Sequence, residues 1–556
     1  MREKYLDIME NIFREYSIER VGSFLNEVKQ NGLTEHGFPV LTCVLGNLIA
    51  NDRCKEYFSI FIEMMDLCCM QMPYKKAENE FSVARICGCL KALEDKKLVD
   101  NCLLEKWKNE LKKIDPWTNY NKVAPTPTSK MYNWALFGAY SEFIRGKYLG
   151  VDTSKFVEWH ISTQVLNFNS DGQYIDAPIN PPIMYDLVSR EIFLKLLKAG
   201  YNGDFYAQIE DNILKSSEMN LKIQSATGEI PFGGRSNQFF QSELLFASLC
   251  EMLANKFKQN CDIKLASKFK AAANLALAYT ELNIIGKGYS HVKNKYSKDS
   301  KMGCEQYAYY NKYMINAAQY AYMAYINADD TIKPSVAPVI EGGYVYHMKS
   351  NDFDKVFASA GGYSLQFEFS AGWENNTIFP YEAHGLGRIH KIGAPSCICL
   401  SMSFPNRTER YKTEGENRSA LSICPFVDDL LGAQGEYQVL DKNEKKDEVS
   451  LSLACKLNDE ICVKEDYVVN KDGVDVNVSG HDDIGIMIPV FDFDGRDSTK
   501  ITVVKNQIKI EYDGWVCCYY FNGKLDDNYE LYYNRNGRYR AYKMYGNNLK
   551  IKIEQL

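Results

Sequence analysis

The sequence predicts an α+β protein in two large parts: an N-terminal (α/α) toroid over residues 1–333 and a C-terminal antiparallel β-sandwich over 334–556. Three observations predict it. Apolar residues recur at helical spacing through the first part and give way to strict alternation near Pro334. The helical part divides into short-linked segments without a repeat of fixed length, which suits a toroid or a curved helical solenoid better than a TPR or HEAT array. At 556 residues the chain also exceeds one ordinary hydrophobic core.

Helices are expected at 3–15, 18–30, 38–50, 55–71, 79–96, 101–113, 131–146, 153–167, 183–199, 204–223, 236–258, 262–280 and 302–327. Within 243–253, for example, Leu245, Phe246, Leu249, Cys250 and Leu253 form one broad stripe. Residues 116–129 carry three prolines and read as a loop between early and late helices. The run Asp329-Asp330-Thr331-Ile332-Lys333-Pro334 is a helix stop followed by proline. Beyond it Val474, Val476 and Val478 alternate with polar residues, as do Ile508, Ile510 and Tyr512, and then Ile551 and Ile553. Asp472-Gly473 and Asn522-Gly523 have the composition of hairpin turns.

A net charge of -7 argues against a nucleic-acid binder, so an anionic ligand needs local Arg, Lys or His. The 17 cysteines include no CxxC and have no scaffold-like spacing, which fits reduced thiols and speaks against a zinc ribbon. The charged start, MREKYLDIMENIFREYSIERVG, has no apolar signal-peptide core, and no run of 18 apolar residues occurs. A cytoplasmic protein with no membrane partner and no cofactor is expected.

Several segments can carry chemistry. Asn133 and Trp134 open a helix, where the indole can stack on a sugar or fill a core. The loop from Asp171 leads into a helix on which Tyr185, Asp186 and Arg190 share a side, either as cavity groups or as a structural Asp–Arg pair. In 228–238, Gly233 and Gly234 permit a tight turn, Arg235 precedes a capping Ser236 or Asn237, and Gln238 follows; an anion fits there, a nucleotide does not, since the P-loop ending is missing. Along 304–313, Glu305, Tyr309, Lys312 and Tyr313 fall on one helical face, pointing into a cavity or into a helix–helix network. In 381–391, His384, Arg388, His390 and Lys391 cluster in what Gly385 and Gly387 mark as a loop, a candidate acid–base and anion site. The Asp-rich run 491–497 lacks the glutamate of a calcium loop.

Together these parts resemble heparinase II/III-like toroid polysaccharide lyases. The likeness lies in the order toroid then β-sandwich and in four segments: DGQYIDAP from Asp171, PFGGRSNQ from Pro231, CEQYAYYNKYM from Cys304 and HGLGRIHKIGAP from His384. The resemblance implies cleavage of a uronate-containing glycan by β-elimination, with an anionic oligosaccharide as partner. It implies that Asn, Arg or His neutralises the carboxylate while Tyr and His share the proton work. Arg235 and Asn237 are then the neutralising groups, Tyr185, Tyr309 or Tyr313 the base or acid, and His384 or His390 a contribution from the β half. Gln238, Asn133, Trp134, Arg190, Glu305, Lys312 and Arg388 are expected to contact substrate. Two other readings stand beside it: a toroid glycoside hydrolase using carboxylates among Asp171, Asp176, Glu229 and Glu305, and a non-catalytic glycan-binding protein.

Overall fold

A computed structural model describes residues 1–176, 183–231, 239–287, 293–304, 310–351, 353–369, 383–400, 412–415 and 422–556. Its helices are α1 Glu3–Arg14, α2 Ile18–Asn31, α3 Gly37–Ala50, α4 Phe58–Gln71, α5 Val83–Asp95, α6 Asn101–Leu111, α7 Pro116–Asn119 and α8 Asn133–Leu149. They continue with α9 Ser154–Gln164, α10 Ile183–Lys198, α11 Tyr206–Ile223, α12 Gln241–Gln259, α13 Ile263–Thr280, α14 Tyr310–Asn327 and the single turn α15 Pro338–Glu341. Local chemistry sets several starts. Ser17 caps α2, and the Asp100 and Asp262 carboxylates accept backbone N–H groups at the starts of α6 and α13.

The helices divide by burial. All of α3 is buried, as expected of a helix apolar on every face. Contacts run from α3 to α5, α8, α10, α12 and α14 in turn, and α14 returns to α3. That closes a ring of six inner helices. The neighbours α4, α9, α11 and α13 lean on the ring from outside, and α1 packs on α14. The closed ring is a toroid, not a solenoid.

The last long helix ends at Asn327 and the first strand opens at Tyr344. Strands β1 Tyr344–Lys349, β2 Asp354–Ala360, β3 Tyr363–Glu368 and β4 Gly385–Lys391 form one antiparallel sheet in that order. There follow β5 Cys424–Val427, β6 Leu430–Leu431, β7 Glu436–Lys445, β8 Glu448–Lys456, β9 Cys462–Asn470, β10 Gly473–Ser479 and β11 Ile484–Phe493. The last are β12 Lys500–Val504, β13 Gln507–Tyr512, β14 Trp515–Phe521, β15 Lys524–Asn534, β16 Gly537–Tyr545 and β17 Asn548–Gln555. An eight-stranded sheet has the order β12-β13-β14-β17-β10-β9-β8-β7, and a five-stranded sheet the order β15-β16-β11-β5-β6. The first sheet packs its β1 and β2 on β7, β8 and β9, and one apolar core is shared by all three sheets. It is separate from the core of the toroid.

Two turn expectations are resolved differently. Asp472-Gly473 does close the β9–β10 hairpin. Asn522-Gly523 does not make a hairpin, because it carries the chain from β14 in the eight-stranded sheet to β15 in the five-stranded one. Among the described residues no helix is long and apolar enough to cross a membrane.

Candidate active site

A cavity opens at one end of the ring of inner helices. A space of about 540 Å³ is lined by His36, Glu78, Arg85, Asn133, Trp134, Asp176, Tyr185, Gln241, Lys312, Tyr313 and Asn316, among others. His36 immediately precedes α3, and Glu78 and Arg85 flank the start of α5. Asn133 opens α8, Tyr185 lies in the first turn of α10, Gln241 opens α12, and Lys312 and Tyr313 lie in the first turn of α14. The N-terminal ends of α3, α5, α8 and α12 therefore meet at this cavity, and the first described residues of α10 and α14 lie beside it. The positive ends of these helix dipoles favour an anion there. The side chains add to this. Arg85, Lys122, Lys130 and Lys312 line the cavity against two carboxylates, Glu78 and Asp176.

One hydrogen-bonded chain runs along the wall. His36 Nδ1 lies 2.6 Å from Glu78 Oε2, and Lys312 Nζ lies 3.3 Å from the same oxygen and 3.1 Å from Glu35. His36 Nε2 faces Asn316 Nδ2 at 3.5 Å, while Asn316 Oδ1 accepts from Arg85 at 2.8 Å. Burial alone would raise the Glu78 carboxyl, but the His36 hydrogen bond and the Lys312 charge outweigh it and hold it at about 2. Burial lowers His36 from its ordinary 6.5, opposed by Glu78. An aromatic floor supports this wall. Phe81 lies 4.9 Å from His36 and meets Trp134 edge-on, and Lys122 sits 5.7 Å from the Trp134 ring. Tyr313 stacks on Phe239 at 4.6 Å. Asp176 accepts the Asn133 backbone N–H at 2.8 Å, which fixes the entry of α8.

Six of the residues singled out by sequence thus meet in one place: Asn133, Trp134, Asp176, Tyr185, Lys312 and Tyr313. Tyr309, Glu305, Arg235, Asn237 and Gln238 lie outside the described residues. Four others stand elsewhere. Arg190, expected to contact substrate, is 1% exposed and bound to Asp186 at 2.5 and 2.9 Å and to Asn220 at 2.9 Å. It is the structural member of a pair within α10, and it has no access to the cavity.

The segment with His384, Arg388 and His390 corrects a second expectation. It is not a loop: residues 385–391 are strand β4, paired along β3. Gly387 has no partner in the ladder, so it is a β-bulge, and the bulge resets the alternation. Leu386 and Ile389 both join the sandwich core, while Arg388 and His390 face the toroid. There they meet Glu229, which accepts from Tyr279 at 2.5 Å and lies 3.4 Å from Lys293 and 3.6 Å from both Arg388 and His390. Arg388 also donates to the Ile230 carbonyl at 2.9 Å. Burial would raise the Glu229 carboxyl, but Lys293, Arg388 and His390 hold it well below the usual carboxylate range. Burial drives His390 down to about 3. This cluster joins the two halves, and neither histidine lines the cavity. His384 is buried too, its Nδ1 against the Gly435 carbonyl and its ring edge-on to Tyr437. Glu229, considered as a hydrolytic carboxylate, belongs to the same sealed cluster, and Asp171 is exposed on a separate groove.

His36, Glu78 and Arg85 were not singled out by sequence. A usable signal existed: polar residues at the first turn of a helix apolar on all sides, as in Glu35-His36 before α3.

No family model matches the chain, and no curated protein matches it. Several solved structures are similar to it in fold. A heparinase III structure has a TM-score of 0.47 at 9% identity, over 93% of this chain and 76% of that one. A mutant heparan sulfate lyase HepC from Pedobacter heparinus has 0.45 at 10%, over 93% and 75%. A mutant chondroitin AC lyase from Streptomyces coelicolor A3 has 0.47 at 10%, over 100% and 82%. Likeness at this level concerns the fold, and the chemistry of this chain rests on its own residues.

Proposed function

We propose that this chain is a carbohydrate-active lyase that cleaves a uronic-acid-containing oligosaccharide or polysaccharide by β-elimination in the toroid cavity. The observation that carries the reading is the convergence of the N-terminal ends of α3, α5, α8 and α12 and, among the described residues, four basic side chains on one cavity, in a protein whose net charge is -7. Elimination needs a cationic environment to accept charge developing on the uronate carboxylate, a base at C5 and an acid at the leaving oxygen. Arg85 or Lys312 with the Asn133 amide supplies the first. The Tyr185 and Tyr313 hydroxyls line the same cavity and can donate a proton to the leaving oxygen. Trp134 offers an apolar face to a sugar ring.

Hydrolysis needs one carboxyl kept protonated as an acid. The cavity carboxylates do not suit that role: Glu78 is held at about 2, and Asp176 already accepts a backbone N–H. All 17 cysteines are unpaired thiols, which supports a reducing cytoplasm and an imported oligosaccharide as substrate.

The test is incubation of the full chain with a panel of uronate oligosaccharides. Elimination yields a C4=C5 unsaturated uronate with new ultraviolet absorbance. New reducing ends without that absorbance mean hydrolysis. Calorimetric binding without turnover means a glycan-binding protein.

A further inference from the structure

The cavity contains a histidine whose surroundings define its protonation state and its direction. Asn316 gives its Oδ1 to Arg85, so its Nδ2 faces His36 and meets Nε2 as an acceptor. The ring proton is then on Nδ1, pointing at Glu78 only 2.6 Å away. At 3.5 Å the Asn316 contact is at the limit of a hydrogen bond, which leaves the Nε2 lone pair available to a ligand. The His36 side chain is 12% exposed and opens on the cavity. Glu78 itself adopts a left-handed backbone conformation, φ 55 and ψ 38, that is costly for a residue with a Cβ. Such strain concentrates where a side chain must be aimed.

We propose that His36 is the catalytic base of the cavity and that Glu78 is its positioning residue. The proposal rests on the elimination reading given above. Nε2 takes the C5 proton of the uronate, and the C5–H electron pair becomes the C4=C5 bond. The C4–O bond breaks, and the leaving oxygen takes a proton from the phenol of Tyr185 or Tyr313. Imidazolium and phenolate then exchange a proton through water, so both groups are restored and no co-reactant is consumed. Glu78 balances the imidazolium as it forms, as a carboxylate behind a histidine does in other proton-transfer dyads. Lys312, bridged to Glu35, keeps Glu78 ionised, and Arg85 fixes the Asn316 amide.

A merely structural role is the alternative, because Glu78 also accepts the His36 backbone N–H at 3.2 Å beside the start of α3. Kinetics on a substrate turned over by the wild-type chain separate the two. His36→Gln should lower kcat by about 10²–10⁴-fold, the range for losing an acid–base group, with KM little changed. His36→Ala should recover part of that loss when imidazole is added, which a folding defect would not. Glu78→Gln should lower kcat about tenfold, the size of one lost unit of charge stabilisation, and move the acidic limb of the kcat profile to lower pH. The sign follows because Glu78 stabilises charged His36; Lys312 and Arg85, which face the same ring, act against the charge and remain in that variant. If His36→Gln keeps wild-type kcat, or changes KM alone, while the wild-type chain makes unsaturated product, the role of His36 is overturned and the elimination reading stands. If the wild-type chain makes no unsaturated product from any member of the panel, both are overturned.

Discussion

The cavity cluster around His36 and the interface cluster around Glu229 are built from the same residue types and differ in access. Each contains a glutamate, a histidine, a lysine and an arginine, although in the cavity the arginine reaches the cluster through Asn316. In the cavity, the side chains of His36 and Lys312 keep 12% and 23% of their surface exposed. At the interface, Glu229 and His390 keep 2% and 1%. The cavity has room beside its charges for a ligand, so its cations can exchange water for a carboxylate. Beside Arg388 and His390 the space is only about 10 Å³, too small for a ligand, so each charge must be answered by a neighbouring side chain. Identical chemistry thus reads as function in one place and as the joint between two halves in the other.

The largest effect should come from breaking the sealed cluster. Glu229→Ala leaves the buried Arg388 without its carboxylate and Lys293 with Glu243 alone. Truncating one member of a buried ion pair costs about 3–5 kcal/mol, and urea unfolding of the variant should show a loss of that order. An unchanged unfolding midpoint would mean that water reaches the interface, and the contrast with the cavity would disappear.

Next in size are the cavity phenols. Tyr185→Phe and Tyr313→Phe, measured separately, should include one variant with kcat reduced about 100-fold and an unaltered melting temperature. Full activity in both would remove the phenols from the reaction. A smaller effect separates the two clusters by their cations. Lys122→Met should raise KM for an anionic substrate about tenfold or less, with the difference shrinking as salt is added. Lys293→Met should change stability instead, since Lys293 is 4% exposed and bonded to Glu243 at 2.7 Å.

How much of this was legible in the sequence depends on how local the cause is. The inner helices and the strands announce themselves because periods of 3.6 and 2 are properties of a single segment. Trp134 and Tyr185 were legible as aromatic groups at helix starts, and Lys312 and Tyr313 as members of one helical face. The His36–Glu78 pair was not, because 42 residues separate its members and the pairing exists only once the ring has closed. Gly385 and Gly387 were read as loop glycines, yet glycine serves turns and bulges alike. Gly385, with φ +91, has the Tyr437 hydroxyl 2.7 Å from where a Cβ would stand, and Gly387 is the bulge that turns Arg388 and His390 towards the toroid. Arg190 could be read as a cavity cation or as the partner of Asp186, and only its burial decides between them.

A last effect lies in how stability follows pH. His390 is held near 3 in the folded chain, against 6.5 for an ordinary histidine. Between those values the unfolded chain binds a proton that the folded chain refuses, so stability falls as pH drops from about 6.5 towards 3. This one group sets a limiting slope of about 1.4 kcal/mol per pH unit. His390→Gln cannot titrate, and its urea midpoint should therefore fall less steeply over the same window. Three other buried groups remain in both proteins and cancel from the difference. His160, held at about 4, has the same sign. Glu80 and Glu465, raised to about 7, have the opposite sign, since each binds a proton on folding and loses its contribution as pH rises from 4.5 to 7. His36→Gln should flatten the slope less than His390→Gln, because Glu78 at 2.6 Å offsets burial of the cavity imidazole. Equal flattening in the two variants would show that the cavity is as closed to solvent as the interface, and would end the distinction on which the placement of the active site depends.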